Sequence, residues 1–182
     1  MSTQKIISDI IEREGGDRFT DHPSDKGGPT RWGITEKVAR ARGYGGDMRD
    51  LPRAFAVAVY SFDYIEAPGF SKVLALSQMI GEEMIDSGVN MGVSHPGPWL
   101  QRILNVLNQQ AQAFPDLKVD GVLGPATLGA LKTVLKLRGV DGELVILRAL
   151  NCMQGARYVE ITEAREKNED FFFGWMRTRV VV

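Results

Sequence analysis

The sequence predicts a mostly α-helical protein in two parts, and three observations carry that reading. Apolar residues recur at helical spacing along most of the chain, from Ile6 to Ile161. Strand-like alternation is nearly absent. A run of chain-breaking residues, Gly92 followed by Ser94-His95-Pro96-Gly97-Pro98, interrupts the 182 residues near their midpoint. The expected domains are therefore residues 1–93 and 94–182.

Each element follows from local chemistry. Ile6, Ile7, Ile10 and Ile11 share one helical face, with Ser2 or Thr3 as N-cap, and Gly15-Gly16 ends that helix. The stretch from Asp17 to Thr35 is rich in Gly, Pro, Asp and Thr and reads as an irregular loop with a short β-hairpin. Thr35 caps a helix reaching Arg42. Asp50 and Pro52 open another, with Phe55, Val59 and Phe62 inward, which ends at Pro68-Gly69. The next helix runs from about Ser77 to Val89 on Ile80, Met84 and Ile85. Beyond the break, Trp99, Ile103, Val106 and Leu107 line a helix. Asp120-Gly121 makes a turn, and Pro125 starts a short helix carrying Leu128 and Leu131. Asp141 caps a long final helix with Val145, Leu147, Leu150 and Ile161 inward. The apolar tail Phe171-Phe172-Phe173-Gly174-Trp175-Met176 is expected to dock back onto the fold.

Composition narrows the function. With 22 basic and 23 acidic residues the net charge is −1, so no nucleic-acid partner is expected. Cys152, the single cysteine, reads as a small buried hydrophobe beside Leu150 and Met153. His22 and His95 stand far apart, and neither HExxH nor CxxC spacing occurs, so neither metal nor cofactor is expected. No apolar run approaches the roughly 20 residues that span a bilayer, and the N-terminus lacks the pattern of an export signal. The expectation is a monomer made in the cytoplasm without stable membrane insertion. A target outside the membrane would then require a holin or another export route.

The residues with chemistry cluster early in the chain. Cleaving a glycosidic bond needs a proton donor at the leaving oxygen and a second polar group that handles water or the developing cation. Glu14 ends the first helix, where the dipole disfavours negative charge and two glycines add no polar side chains. Taken alone, it reads more readily as an ordinary exposed glutamate at a helix end, because perturbed carboxyls are the exception. Downstream, Asp25 can orient water or stabilise a cationic transition state, or can simply form an Asx-turn in Pro23-Ser24-Asp25. Thr30 can hold the water through its hydroxyl. Trp32 offers a sugar-stacking face or a core ring.

Glu14-Gly15-Gly16 followed by Asp21-His22-Pro23-Ser24-Asp25-Lys26-Gly27-Gly28-Pro29-Thr30-Arg31-Trp32-Gly33-Ile34-Thr35 resembles the signature of glycoside hydrolase family 108, which comprises phage endolysins and secretion-associated muramidases. Asp86-Ser87-Gly88-Val89-Asn90-Met91-Gly92 is similar to the family's second motif. The chain from Trp99 onward resembles the peptidoglycan-binding module that usually follows, with Asp120-Gly121-Val122-Leu123-Gly124-Pro125-Ala126-Thr127 as its turn and Phe173-Gly174-Trp175-Met176-Arg177 as its closing motif. The resemblance implies a lysozyme-like helical lobe, a small helical C-terminal module and an N-acetylmuramidase acting on peptidoglycan glycan strands in the cell wall (the periplasm of a Gram-negative host). It implies Glu14 as catalytic acid. Asp25 and Thr30 are expected beside it, and Trp32, Tyr64, Asn90 and Tyr158 as substrate contacts. Where the family commonly has an aromatic pair, this chain has Tyr64-Ile65.

Overall fold

A computed structural model describes residues 3–21 and 28–180. The described chain is mostly helical, with one two-stranded sheet, and packs as two compact units, Met1–Ala67 and Pro68–Val182.

In the first unit, α1 (Thr3–Arg13) buries Ile6, Ile7, Ile10 and Ile11 in contact with α3 (Arg53–Ser61). Burying each such side chain contributes roughly 1.5–3 kcal/mol, which explains why so short a helix is stable here. Its end is a glycine stop: the Gly16 amide donates to the Ile11 carbonyl at 2.9 Å, and Gly15 and Gly16 have φ of 127° and 55°. The expected hairpin forms between β1 (Thr30–Arg31) and β2 (Ile34–Thr35), with Thr30 opposite Thr35 and Arg31 opposite Ile34. Thr35 caps α2 (Glu36–Ala41), its hydroxyl accepting from the Val38 amide at 3.4 Å. A single 3₁₀ turn, Met48–Asp50, then leads through Pro52 into α3.

The end of α3 differs from expectation. Its inward stripe is Ala56, Val59 and Tyr60, and the chain continues as a π-helical turn, Phe62–Glu66, that buries Ile65. Phe62 lies outside this stripe and is exposed, with the Arg42 guanidinium 4.9 Å over its ring.

The second unit begins with a helix absent from the sequence reading, α4 (Phe70–Leu74), whose Phe70 and Val73 are buried. Five residues are too few to display a helical period, which is why the pattern did not reveal it. Ser77 caps α5 (Gln78–Met91) by accepting from the Ile80 amide at 3.1 Å, and α5 packs on α4, α6 (Pro96–Leu107) and α7 (Pro125–Glu163). The chain turns at 92–95 within this packed unit, with Pro96 already opening α6, and the packing divides the chain at Ala67/Pro68. On α6 the buried residues are Trp99, Leu100, Ile103 and Leu104, whereas Val106 is 83% exposed. Along the same helix Gln101, Asn105 and Asn108 fasten the segment that follows: Gln101 Nε2 donates to Asp120 Oδ1 at 3.1 Å, and Asn105 exchanges two bonds with the Leu117 backbone.

The two helices expected after Pro125 run on as α7, broken only at Gly139. Their inward residues include Ile146, Leu150, Gln154 and Tyr158. Val145 and Cys152 lie outside that face and are exposed, contrary to expectation. The tail, after a 3₁₀ turn at Glu166–Asn168, forms α8 (Glu169–Arg179) and docks against α7. Trp175 stacks on Tyr158 with centroids 5.0 Å apart, and Arg179 Nη1 reaches Asp86 Oδ1 at 2.5 Å, while Phe171 and Phe173 stay exposed. No helix among the described residues is long and apolar enough to cross a membrane.

Candidate active site

The site belongs to the first unit, where the end of α1, the β1–β2 turn and the region around the end of α3 converge. Glu14 follows α1, its amide still bonded to the Ile10 carbonyl at 2.9 Å, and it is exposed to solvent. The hairpin turn lies directly against it. A Cβ added at Gly33 would stand 2.4 Å from Glu14 Cβ, 2.8 Å from the Glu14 carbonyl oxygen and 2.5 Å from the Tyr60 hydroxyl. Only a residue without a side chain fits there, and its φ of 73° also favours glycine.

Trp32, the other turn residue, has φ of 56°, so both positions are left-handed as a type I′ hairpin requires. For tryptophan that conformation costs about 1–2 kcal/mol. Two hydrogen bonds hold it: Trp32 Nε1 donates to the Leu51 carbonyl at 2.8 Å, and the Tyr60 hydroxyl donates to the Trp32 carbonyl at 3.0 Å. A strained backbone held by its surroundings is a common feature of functional sites.

Tyr60 and Tyr64 stack with centroids 6.3 Å apart. Burial first, and then the Glu14 carboxylate, hold both phenol groups above their ordinary range, and Asp63 adds to the effect on each. Both tyrosines are therefore neutral hydroxyls at neutral pH, and the half-exposed Tyr64 can donate to an incoming oxygen. Asp63 is ion-paired with Arg42. The arrangement places a solvent-accessible carboxyl group beside an aromatic wall, a combination suited to protonating a sugar oxygen.

The expected residues fall into three groups. Glu14, Thr30, Trp32 and Tyr64 lie in this unit. Thr30 pairs with Thr20 across the backbone, and its hydroxyl donates to the Gly28 carbonyl at 3.1 Å, which leaves its lone pairs to accept. Asp25 lies outside the described residues. Asn90 belongs to the second unit, where its Nδ2 donates to the Asp86 carbonyl of its own helix at 2.6 Å.

Two expected substrate contacts are buried. Trp32 is 9% exposed, and the Arg31 guanidinium lies 5.5 Å over its ring, so it anchors the hairpin in the core. Tyr158 is 1% exposed between α7 and Trp175 and is a core residue. Tyr60 was missed. Its one available signal was its place four residues before Tyr64, the spacing of neighbours on a helix. Among the described residues no group of three or more His, Cys, Asp and Glu is arranged to hold a metal ion.

Residues 7–92 match the family described as Glycosyl hydrolase 108, and residues 95–180 match the family described as Predicted Peptidoglycan domain. Among solved structures the chain is similar to that of Brucella abortus SagA, with a TM-score of 0.56 and 22% sequence identity over 97% of this chain and 88% of that one. At that identity the likeness is one of fold. No curated protein matches the sequence.

Proposed function

We propose that the chain is a peptidoglycan-hydrolysing muramidase, on the match of residues 7–92 to the glycosyl hydrolase 108 family and of residues 95–180 to a peptidoglycan domain, and that Glu14 is its general acid. The bond cut is the β-1,4 linkage between N-acetylmuramic acid and N-acetylglucosamine. Glu14 protonates the leaving oxygen, and Asp25, together with Thr30, handles the attacking water or the developing charge. Tyr64 contacts the sugar from the aromatic wall. We place the functional division at 93/94, in the gap between the matches at residues 7–92 and 95–180. The setting is phage lysis or wall remodelling for secretion, with the enzyme reaching the wall by a holin or another export route.

The observation that supports the reading is the close seat of the Trp32-Gly33 turn on Glu14. A hairpin that accepts a left-handed tryptophan in order to lie against one glutamate fixes the position of its backbone. The decisive experiment is Glu14→Gln, which removes the proton and keeps the shape. Clearing of purified peptidoglycan should fall by about 10²–10⁴-fold, the usual contribution of a general acid, with an unchanged circular dichroism spectrum. Undiminished clearing by the folded variant would overturn the assignment. Mass spectrometry of the wild-type digest should find reducing N-acetylmuramic ends, while anhydro-sugar ends would make the enzyme a lytic transglycosylase.

A further inference from the structure

The second unit contains a cavity of about 400 Å³ between α6 and α7 that the hydrolytic reading does not use. From α6 come His95, Trp99 and Arg102, on one face. From α7 come Met153, Ala156, Arg157 and Glu160, spaced at three, one and three residues so that they too share a face. The walls are thus mixed: aromatic and aliphatic side chains together with two guanidinium groups and one carboxylate.

The polar groups are unevenly matched. Arg157 Nη1 bonds Glu160 Oε2 at 2.8 Å, but its Nε is buried and has no hydrogen-bond partner among the described residues. A buried N–H of a charged group left unpaired is costly, and because that atom is sealed from the cavity the guanidinium can meet a ligand only through its part-exposed terminal nitrogens. Arg102 is exposed and makes no ion pair among the described residues. The His95 ring lies 5.7 Å from that of Trp99, closing the α6 side of the cavity. Two arginines against one glutamate leave a local positive charge on a protein whose net charge is −1.

We propose that this cavity binds a carboxylate of the peptidoglycan stem peptide. The proposal rests on peptidoglycan being the target and adds which part of it the second unit holds. Guanidinium forks suit carboxylates, and the stem is a short peptide that combines free carboxylates with alanine methyl groups. Its carboxylate meets Arg102 and the terminal nitrogens of Arg157, and its methyls rest on Met153, Ala156 and Trp99. The glycan backbone offers hydroxyl and acetamido groups that need no such cation pair. Two cations are too few for a nucleic acid, which gains affinity from many phosphate contacts. The volume falls within the roughly 300–1,000 Å³ of small-ligand sites and admits a short peptide segment. Glu160, already on Arg157, is the internal competitor that the incoming carboxylate displaces.

The test is calorimetric titration of the full chain with three probes. They are the tetrapeptide L-Ala-γ-D-Glu-meso-diaminopimelyl-D-Ala, the same peptide with its carboxylates amidated, and a peptide-free N-acetylglucosamine oligosaccharide. The free peptide should bind, and amidation should weaken it by about tenfold or more, as loss of a charge-assisted pair implies. Arg102→Ala should weaken it comparably, and Glu160→Gln should strengthen it. Both positions are exposed, so these variants retain the fold even if an Arg157 variant does not. Equal binding of the amidated peptide, displacement of the peptide by the oligosaccharide, or no binding of the free peptide would each overturn the proposal. Hydrolysis of peptide-stripped glycan by the native protein, measured in parallel, reports on the muramidase reading alone, so either can fail without the other.

Discussion

Replacing Gly33 by alanine probes the contact on which the proposed site depends. The added methyl would lie 2.4 Å from Glu14 Cβ and 2.8 Å from the Glu14 carbonyl oxygen, and backbone cannot rotate out of its way as a long side chain can. Two costs add. Alanine at a φ of 73° costs about 1–2 kcal/mol, and overpacking a filled site costs about 1–3 kcal/mol more. Their sum, roughly 2–5 kcal/mol, corresponds to a loss of roughly 4–20 °C in the unfolding midpoint for a chain of this size. Gly43 supplies the control. Its φ of 86° carries the conformational cost, yet nothing lies within 4 Å of where its Cβ would be, so Gly43→Ala should lose only about 1–2 kcal/mol, or roughly 2–8 °C. Activity should separate the pair further, because moving a catalytic group by about 1 Å can cost about 10²-fold in rate. Calorimetry and a turbidity assay on purified peptidoglycan measure both effects. If Gly33→Ala melts no lower than Gly43→Ala and clears walls at the native rate, the hairpin does not position Glu14 and the reasoning fails.

Two further perturbations reach other parts of the molecule. Trp32→Phe keeps a ring in the core but leaves the Leu51 carbonyl without its indole donor, so stability should fall by about 1–3 kcal/mol in urea titration; no change would mean that water replaces the bond. In the second unit, burial first and then the Asp86 carboxylate push the Glu83 carboxyl up to about 7, against opposing hydrogen bonds from Ser87 and Asn151. The folded protein therefore binds more protons than the unfolded chain between the ordinary glutamate value of 4.5 and about 7, and stability should decline as pH rises through that window. Glu83→Gln should flatten the decline between about pH 5 and about pH 8, and an unchanged slope would assign it to another group.

Much of the local structure was legible in the sequence. The Ile6, Ile7, Ile10 and Ile11 stripe, the Gly15-Gly16 stop, the cap at Thr35 and the hairpin all depend on interactions within a few residues, which spacing and residue type record directly. The place of Glu14 at a glycine-terminated helix end was legible for the same reason: the helix end and the loop after it are contiguous in the chain. Which face of an element meets the core is a different kind of fact. Val106, Val145 and Cys152 are apolar or nearly so, yet each lies just off the stripe that its neighbours cover.

What the sequence by itself determined is a helical hydrolase with its acidic residue at a glycine-terminated helix end, because motifs and periodicity encode those choices locally. The tertiary structure alone decided what surrounds that residue. It turned Trp32 inward onto the Leu51 carbonyl and set Tyr60 across 28 positions against the Trp32 carbonyl; within the second unit it likewise sealed Tyr158 beneath Trp175. A large amphipathic ring can stack on a ligand or fill a core with equal chemical aptness. The choice between them follows from which distant backbone comes within hydrogen-bonding reach, and no pattern of neighbouring residues specifies that.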